Sequence, residues 1–179
     1  RILFNGNDIL KLNTEELRKI RGKKISYVFQ EPFSSLNPVF TVSEQLREVL
    51  CGQADVEKAI TEILRRVGLD RIAGRKKIYP HELSGGMQQR AVIAMAVLSR
   101  PDLVIMDEPT TALDITIQNQ ILNLIMELKS SMGLSILFIS HDLRIIFRIA
   151  DRISVMYAGK IVEEGSKENV MHLPSHPYT

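Results

Sequence analysis

The sequence is short of several things, and each shortage excludes something. A single cysteine, Cys51, rules out an internal disulfide and agrees with a reducing compartment. No apolar run reaches the roughly 18–20 residues of a membrane span, and no signal-peptide pattern opens the chain. Neither sign of charge dominates. The 23 basic and 21 acidic residues leave a net charge of +2, too little for a global field that gathers nucleic acid. The basic run at residues 71–77 therefore reads as solvated surface. Four histidines give no metal-ligand cluster, because Pro174 between His172 and His176 argues against a shared helical face. What remains is 179 residues, 45% hydrophobic and 25% charged, enough for one sizeable core or a core and a small satellite.

Residues 83–114, LSGGMQQRAVIAMAVLSRPDLVIMDEPTTALD, organise the rest. Ser84 suits a helix N-cap, and Gly85 and Gly86 follow at the first helical positions, where each glycine costs roughly 0.5–1 kcal/mol relative to Ala. Two missing side chains at a helix start admit another molecule to free backbone N–H groups, which with the helix dipole make an anion site suited to phosphate. The bland alternative is an ordinary cap with incidental glycines. Ala91, Ala94, Met95 and Leu98 then repeat at helical spacing until Arg100-Pro101 closes the helix. Leu103, Val104, Ile105 and Met106 read as a strand buried on both faces, as in parallel sheets. Asp107 and Glu108 stand at its C-terminal end, where open α/β sheets place ligands, and Pro109 breaks the strand at once. One carboxylate can hold Mg²⁺, and its neighbour can orient and deprotonate an attacking water.

These residues resemble a known family. LSGGMQQR followed by LVIMDEPTTALD is similar to the signature motif, Walker B strand and D-loop of ATP-binding cassette (ABC) ATPases. Earlier in the chain, VFQEPFSSLNP resembles the Q-loop of the ABC ATPases that drive oligopeptide, dipeptide and nickel importers. SHDL around His141 resembles the H-loop, and the final HPYT resembles the tail of the peptide-importer branch. Met87 and Thr111 replace a more general glutamine and serine in the manner of that branch.

In chain order, Asn5-Gly6 predicts a type I′ hairpin turn, and Thr14 a helix cap with Gly22 at the far end. Residues 25–29 read as a strand with Gln30 at its tip, and residues 31–38 as an exposed binding loop. Thr41 and Glu44 form a capping box opening a helix to about Leu50. Ile60, Ile63, Leu64 and Val67 mark a second helix that stops at Gly68. Asp114 caps a helix with Ile121, Leu124, Ile125 and Leu128 inside and Gly133 at its end. Residues 134–140 read as a buried strand with His141 at its tip. A final hairpin turns at Ala158-Gly159, before a short helix and tail from Ser166.

The resemblance implies an α/β, P-loop NTPase-like ABC ATPase: a mainly parallel sheet flanked by helices, with an inserted helical subdomain. Its segments would be residues 1–40 with the Q-loop, 41–98 ending in the signature helix, 99–165 as the ATPase sheet, and 166–179 as tail. It implies ATP and Mg²⁺ as cofactors, with Asp107 and Gln30 toward the metal, Glu108 as general base, and Gln30 and His141 sensing the γ-phosphate. Ser84, Gly85, Gly86, Gln88 and Asp114 would serve nucleotide held between two subunits. Transmembrane permease subunits, a second ABC ATPase subunit, the cytoplasmic face of the cell membrane and no nucleic acid complete the expected setting. The alternatives are a non-catalytic partner subunit donating its signature helix, a nickel importer, and a soluble ABC protein acting on DNA or ribosomes.

The glycine-rich loop G-x-x-x-x-G-K-[ST] has no match in these 179 residues. Because the chain opens inside a hairpin, we expect a truncation upstream. On its own this chain is expected to bind ATP weakly or not at all, to hydrolyse none, and to be poorly stable or aggregation-prone through uncovered sheet faces.

Overall fold

Turn chemistry sets the start of the computed structural model, which describes residues 1–50, 55–74 and 77–179. Cys51 and residues 75–76 of the basic run lie outside the described residues. Strands β1 (Leu3–Phe4) and β2 (Asn7–Asp8) pair antiparallel across Asn5 and Gly6, whose φ values of 47° and 81° are those a type I′ turn demands. Helix α1 (Thr14–Ile20) starts one residue earlier than expected. Asn13, not Thr14, is its cap, because Asn13 and Glu16 complete the reciprocal box that Thr14 cannot.

β3 (Ile25–Val28) leads into α2 (Pro32–Ser35), a turn of helix inside the stretch expected to be an open loop. Proline at the helix start and burial of Leu36 at its end explain the difference. α3 (Val42–Val49) carries the expected Thr41–Glu44 box, and α4 (Val56–Arg66) buries Ile60, Ile63 and Leu64. Next come α5 (Asp70–Ala73), α6 (Gly85–Leu98), β4 (Leu103–Asp107) and α7 (Ile115–Met132). The last closes on Gly133 at a left-handed φ of 65°, which glycine reaches without strain. β5 (Ser135–Ile139), α8 (Leu143–Ile149), β6 (Arg152–Tyr157), β7 (Lys160–Ser166) and α9 (Lys167–His172) complete the chain.

Two compact units result, Arg1–Leu137 and Phe138–Thr179. In the first, the sheet order is β3-β4-β5, with residues 135–137 of β5 inside this unit. β3 and β4 run parallel, Ile25 opposite Leu103 and Val28 opposite Met106. α6 packs on β3, and α2, α3 and α4 pack around α6. Residues 42–98 contain helices and turns and no strand among the described residues. Val28, Val104, Met106, Leu46, Leu64 and Ile93 form the centre of this core.

The expectation that β4 is buried on both faces is corrected. Val104 and Met106 are buried, whereas Leu103 and Ile105 are half-buried. Tyr27, across from Ile105 on the same side of the sheet, is 40% exposed. β5 likewise alternates between exposed and half-buried rather than lying buried. An apolar run predicts a strand but cannot say how many layers cover it.

The second unit is built on the β6–β7 hairpin, whose Ala158 and Gly159 have φ of 48° and 75°. Ile146, Ile153 and Val170 form its core, so the tail helix α9 is part of the packing. The Glu163 carboxylate accepts from the backbone N–H groups of Ser175 (2.7 Å) and His176 (3.1 Å), and the Tyr178 ring lies 4.6 Å from that of Tyr157.

Candidate functional site

The end of β4 gathers side chains from three places in the sequence. Asp107 is the last residue of the strand. Glu108 follows with φ of 44°, a left-handed conformation that a non-glycine residue adopts at a cost of order 1–3 kcal/mol and that is concentrated at functional sites. Buried Pro109 and Thr110 then anchor the turn, and the Gln118 amide reaches the Thr110 hydroxyl at 3.4 Å. The turn thus lifts the carboxylates away from the core.

Each carboxylate is held by donors. The Gln30 amide donates to Glu108 Oε2 at 3.1 Å and the Thr111 hydroxyl donates to the same oxygen at 3.0 Å. Gln30 is thereby brought to the carboxylate pair, and its own amide oxygen is the atom left to serve a metal. The Tyr27 hydroxyl donates to Asp107 Oδ2 at 2.8 Å. That bond is the main reason the Tyr27 phenol titrates above its ordinary value, with burial and the Asp107 charge adding to it.

Tyr27 was not singled out from the sequence, and Thr111 only as a mark of the importer branch, with no place in the site. A signal for Tyr27 existed in principle: it stands at the Ile105 register position, two residues before Asp107 on the same strand face. The register itself, however, is not readable from either strand alone.

The start of α6 is organised differently. The Ser84 hydroxyl accepts from Met87 N at 3.4 Å, as an N-cap should. A side chain at Gly85 would meet only the Leu113 Cδ2 methyl at 3.9 Å, ordinary contact distance, so the approach there is open. A Cβ at Gly86 would come within 2.7 Å of Ile117 Cγ2. The packing of α7 on α6 therefore requires glycine at position 86 in its own right.

Gln88 is 1% exposed, and its amide donates to the carbonyls of Pro80 (2.7 Å) and Leu83 (3.3 Å). This corrects the expectation of a direct nucleotide contact: Gln88 shapes the turn entering α6 from inside. Arg90 reaches the Val67 carbonyl at 2.7 Å and Gln120 at 3.2 Å, tying α6 to the end of α4 and to α7. Asp114 caps α7 as expected, its carboxylate accepting from Thr116 N and Ile117 N, each at 3.0 Å.

His141 lies in the second unit, exposed, just beyond β5 and beside Asp142. Asp142 caps α8 and pairs with Arg144, which holds the Asp142 carboxyl below its ordinary pKa.

The donor chemistry fits Mg²⁺ brought in with a nucleotide. Hard cations of this size take one or two protein oxygens and fill the remaining positions with water and phosphate. Asp107 would supply one such oxygen and the Gln30 amide another, and no cluster of three or more His, Cys, Asp or Glu residues suited to a metal occurs among the described residues. Likewise, no described helix is long and apolar enough to cross a membrane.

Comparison with known proteins agrees with this geometry. The chain is 46% identical to the dipeptide transport ATP-binding protein DppD of Bacillus subtilis, over 100% of this chain and 55% of the relative. It is 47% identical to the oligopeptide transport ATP-binding protein OppD of the same organism, over 99% of this chain and 51% of the relative. The chain thus spans about half the length of the curated relatives it matches. Among solved structures it is similar to cbiO1 of Clostridium perfringens, part of an ABC transporter complex, with a TM-score of 0.84 at 27% identity, covering 96% of this chain and 67% of that one. An ATP-binding cassette solved as a dimer in a post-hydrolysis state with ADP and Pi superposes with a TM-score of 0.78 at 30% identity, covering 92% of this chain and 72% of that one. The family model described as ABC transporter matches residues 1–111, and the chain belongs to that family.

Proposed function

We propose that this chain is the signature and catalytic-carboxylate part of an ATP-hydrolysing subunit that energises import of peptides or similar small solutes. The observation that carries the reading is Glu108, lifted by its left-handed backbone and held on one oxygen by Gln30 and Thr111 beside Asp107. Mg²⁺, held at Asp107 and the Gln30 amide oxygen, would neutralise charge developing on the transferred phosphate. Glu108 orients the attacking water and takes its proton, and the two donors on Oε2 keep the carboxylate in one orientation for that task. Gln30 senses the terminal phosphate, and the same role for His141 rests on the resemblance of SHDL to the H-loop alone.

Ser84, Gly85 and Gly86 complete the site of a second subunit in a head-to-tail dimer, with Asp114 at the same junction and Gln88 supporting the turn from within. The open approach at Gly85 supports this assignment. Permease subunits at the cytoplasmic face of the cell membrane are the remaining partners. The similarity to dipeptide and oligopeptide transport ATP-binding proteins supports peptide import over the alternatives.

The test uses an ATPase-competent protein in which this chain is joined to a glycine-rich phosphate loop. There, Glu108→Gln lowers the turnover rate by about 10²–10⁴-fold while nucleotide affinity is kept. Equal turnover in mutant and wild type would end the assignment of Glu108 as base. The 179-residue chain by itself is expected to show no phosphate release and no micromolar binding in calorimetric titration with Mg-ATP. Helix-start attraction supplies only about 0.3–1 kcal/mol, against the roughly 8 kcal/mol that micromolar affinity requires.

A further inference from the structure

We propose that Tyr27 is a positioning residue for Asp107, fixing the carboxylate so that its remaining oxygen valences face a nucleotide-borne divalent cation. The inference rests on the reading of Asp107 as the metal-holding carboxylate. Two observations assign the role. The first is the bond itself, Tyr27 Oη to Asp107 Oδ2 at 2.8 Å, a neutral donor on a charged acceptor and hence one of the stronger kinds of hydrogen bond. The second is how the phenol is aimed. The parallel pairing of β3 with β4 sets Tyr27 opposite Ile105, so Asp107 is its diagonal neighbour on the same face, within reach of a long aromatic side chain. The Phe29 ring lies 4.4 Å from the Tyr27 ring and limits its swing.

The chemistry suits the task. A carboxylate offers about four lone-pair positions, so a single phenol donor orients it without consuming its capacity for a metal or a metal-bound water. A phenol is neutral at physiological pH, so it steers Asp107 without adding charge that would repel a cation or a phosphate. A lysine or arginine at this position would orient the carboxylate equally well and also compete with the metal. Partners of ligating carboxylates in other metal sites typically matter by 10–100-fold in metal affinity or activity, which sets the scale of effect expected here.

The experiment measures divalent-cation binding directly, by the loss of the free Mn²⁺ signal in electron paramagnetic resonance. It uses the ATPase-competent protein with a non-hydrolysable ATP analogue present. Tyr27→Phe keeps the ring against Phe29 and removes only the hydroxyl. It is expected to weaken Mn²⁺ binding about tenfold and to raise the Mg²⁺ concentration for half-maximal turnover by a similar factor, with turnover at saturating Mg²⁺ changed less than threefold. Tyr27→Met, which also lacks a donor, should match it. Asp107→Asn should weaken Mn²⁺ binding more than either, and adding Tyr27→Phe to it should cause no further loss. If Asp107→Asn weakens binding while Tyr27→Phe and Tyr27→Met bind Mn²⁺ as wild type does, the positioning role of Tyr27 is overturned and the assignment of Asp107 stands. If Asp107→Asn itself binds Mn²⁺ normally, the assignment of Asp107 fails and the role of Tyr27 fails with it.

Discussion

The two parts of the molecule to which we assign phosphate chemistry are held in opposite ways. At the end of β4, Asp107 and Glu108 are fixed by side-chain hydrogen bonds from Tyr27, Gln30 and Thr111, all at least partly exposed. At the start of α6, Ser84, Gly85 and Gly86 sit on a buried foundation: Gln88 inside, Ile117 packed on Gly86, and Arg90 tied to α4 and α7. The first arrangement is polar, solvent-facing and cheap to disturb, because exposed hydrogen bonds exchange readily with water. The second is close-packed against α7 and over buried Gln88, where displacement of a single methyl group is felt. Changes at the carboxylates should therefore alter chemistry with little change in stability, and changes to the packing at the helix start, at Gly86 and Gln88, should cost stability.

The sharpest way to break that comparison is at the adjacent glycines. Gly86→Ala places a methyl 2.7 Å from Ile117 Cγ2, so crowding should lower stability by about 1–3 kcal/mol even after the helix-propensity gain. Gly85→Ala meets nothing closer than 3.9 Å and should be neutral or stabilising by up to about 1 kcal/mol. Urea unfolding monitored by circular dichroism measures both. Partial recovery of Gly86→Ala by Ile117→Ala would locate the clash, and equal midpoints for the two glycine variants would refute it.

Two neighbouring glutamines sharpen the picture with opposite signs. Both amide atoms of fully buried Gln89 lack a hydrogen-bond partner among the described residues, so Gln89→Leu should stabilise by about 1 kcal/mol. Gln88→Leu should destabilise by about 1 kcal/mol. It takes the Gln88 donor from the Pro80 and Leu83 carbonyls, of which Pro80 keeps the Leu83 N–H at 3.1 Å, a loss partly offset by removing the unpaired Gln88 Oε1. Thermal melts of the pair that move in the same direction would contradict this.

On the carboxylate side, Thr111→Val removes a donor from Glu108 at an exposed position and should change stability by less than about 0.5 kcal/mol. In the ATPase-competent protein it should nonetheless slow turnover several-fold, and Thr111→Ser should restore the rate. A stability loss as large as that of Gly86→Ala would erase the distinction between the two regions.

The smallest effect is a pH dependence outside both regions. The Thr41 hydroxyl, then the Thr41 backbone N–H, holds the Glu44 carboxyl below its ordinary value of 4.5. A carboxyl whose pKa is lower folded than unfolded adds stability above the unfolded value and loses it as pH falls through the folded one. The stability difference between wild type and Thr41→Val should thus shrink below about pH 4.5. Equilibrium unfolding at pH 7 and pH 3 checks the sign.

The sequence by itself determined whatever depends on neighbours along the chain. Asn5-Gly6 and Ala158-Gly159 turn their hairpins, Thr41 with Glu44 opens α3, Ser84 and Asp114 cap α6 and α7, and Gly133 closes α7. These follow from φ preferences and from donors within three residues, which a local reading captures. The pairing of Asp107 with Glu108 at a strand tip was legible for the same reason.

Tertiary structure alone decided which distant groups meet. The hydrogen bond from Tyr27 to Asp107 spans 80 residues and exists because β3 and β4 adopt one register. Gly86 is needed because α7 crosses α6 at Ile117, and Gln88 turned inward because the Pro80 and Leu83 carbonyls point there. The half-covered face of β4 is of the same kind: an apolar strand records its own hydrophobicity, but the layers packed against it are set by elements far away in the chain.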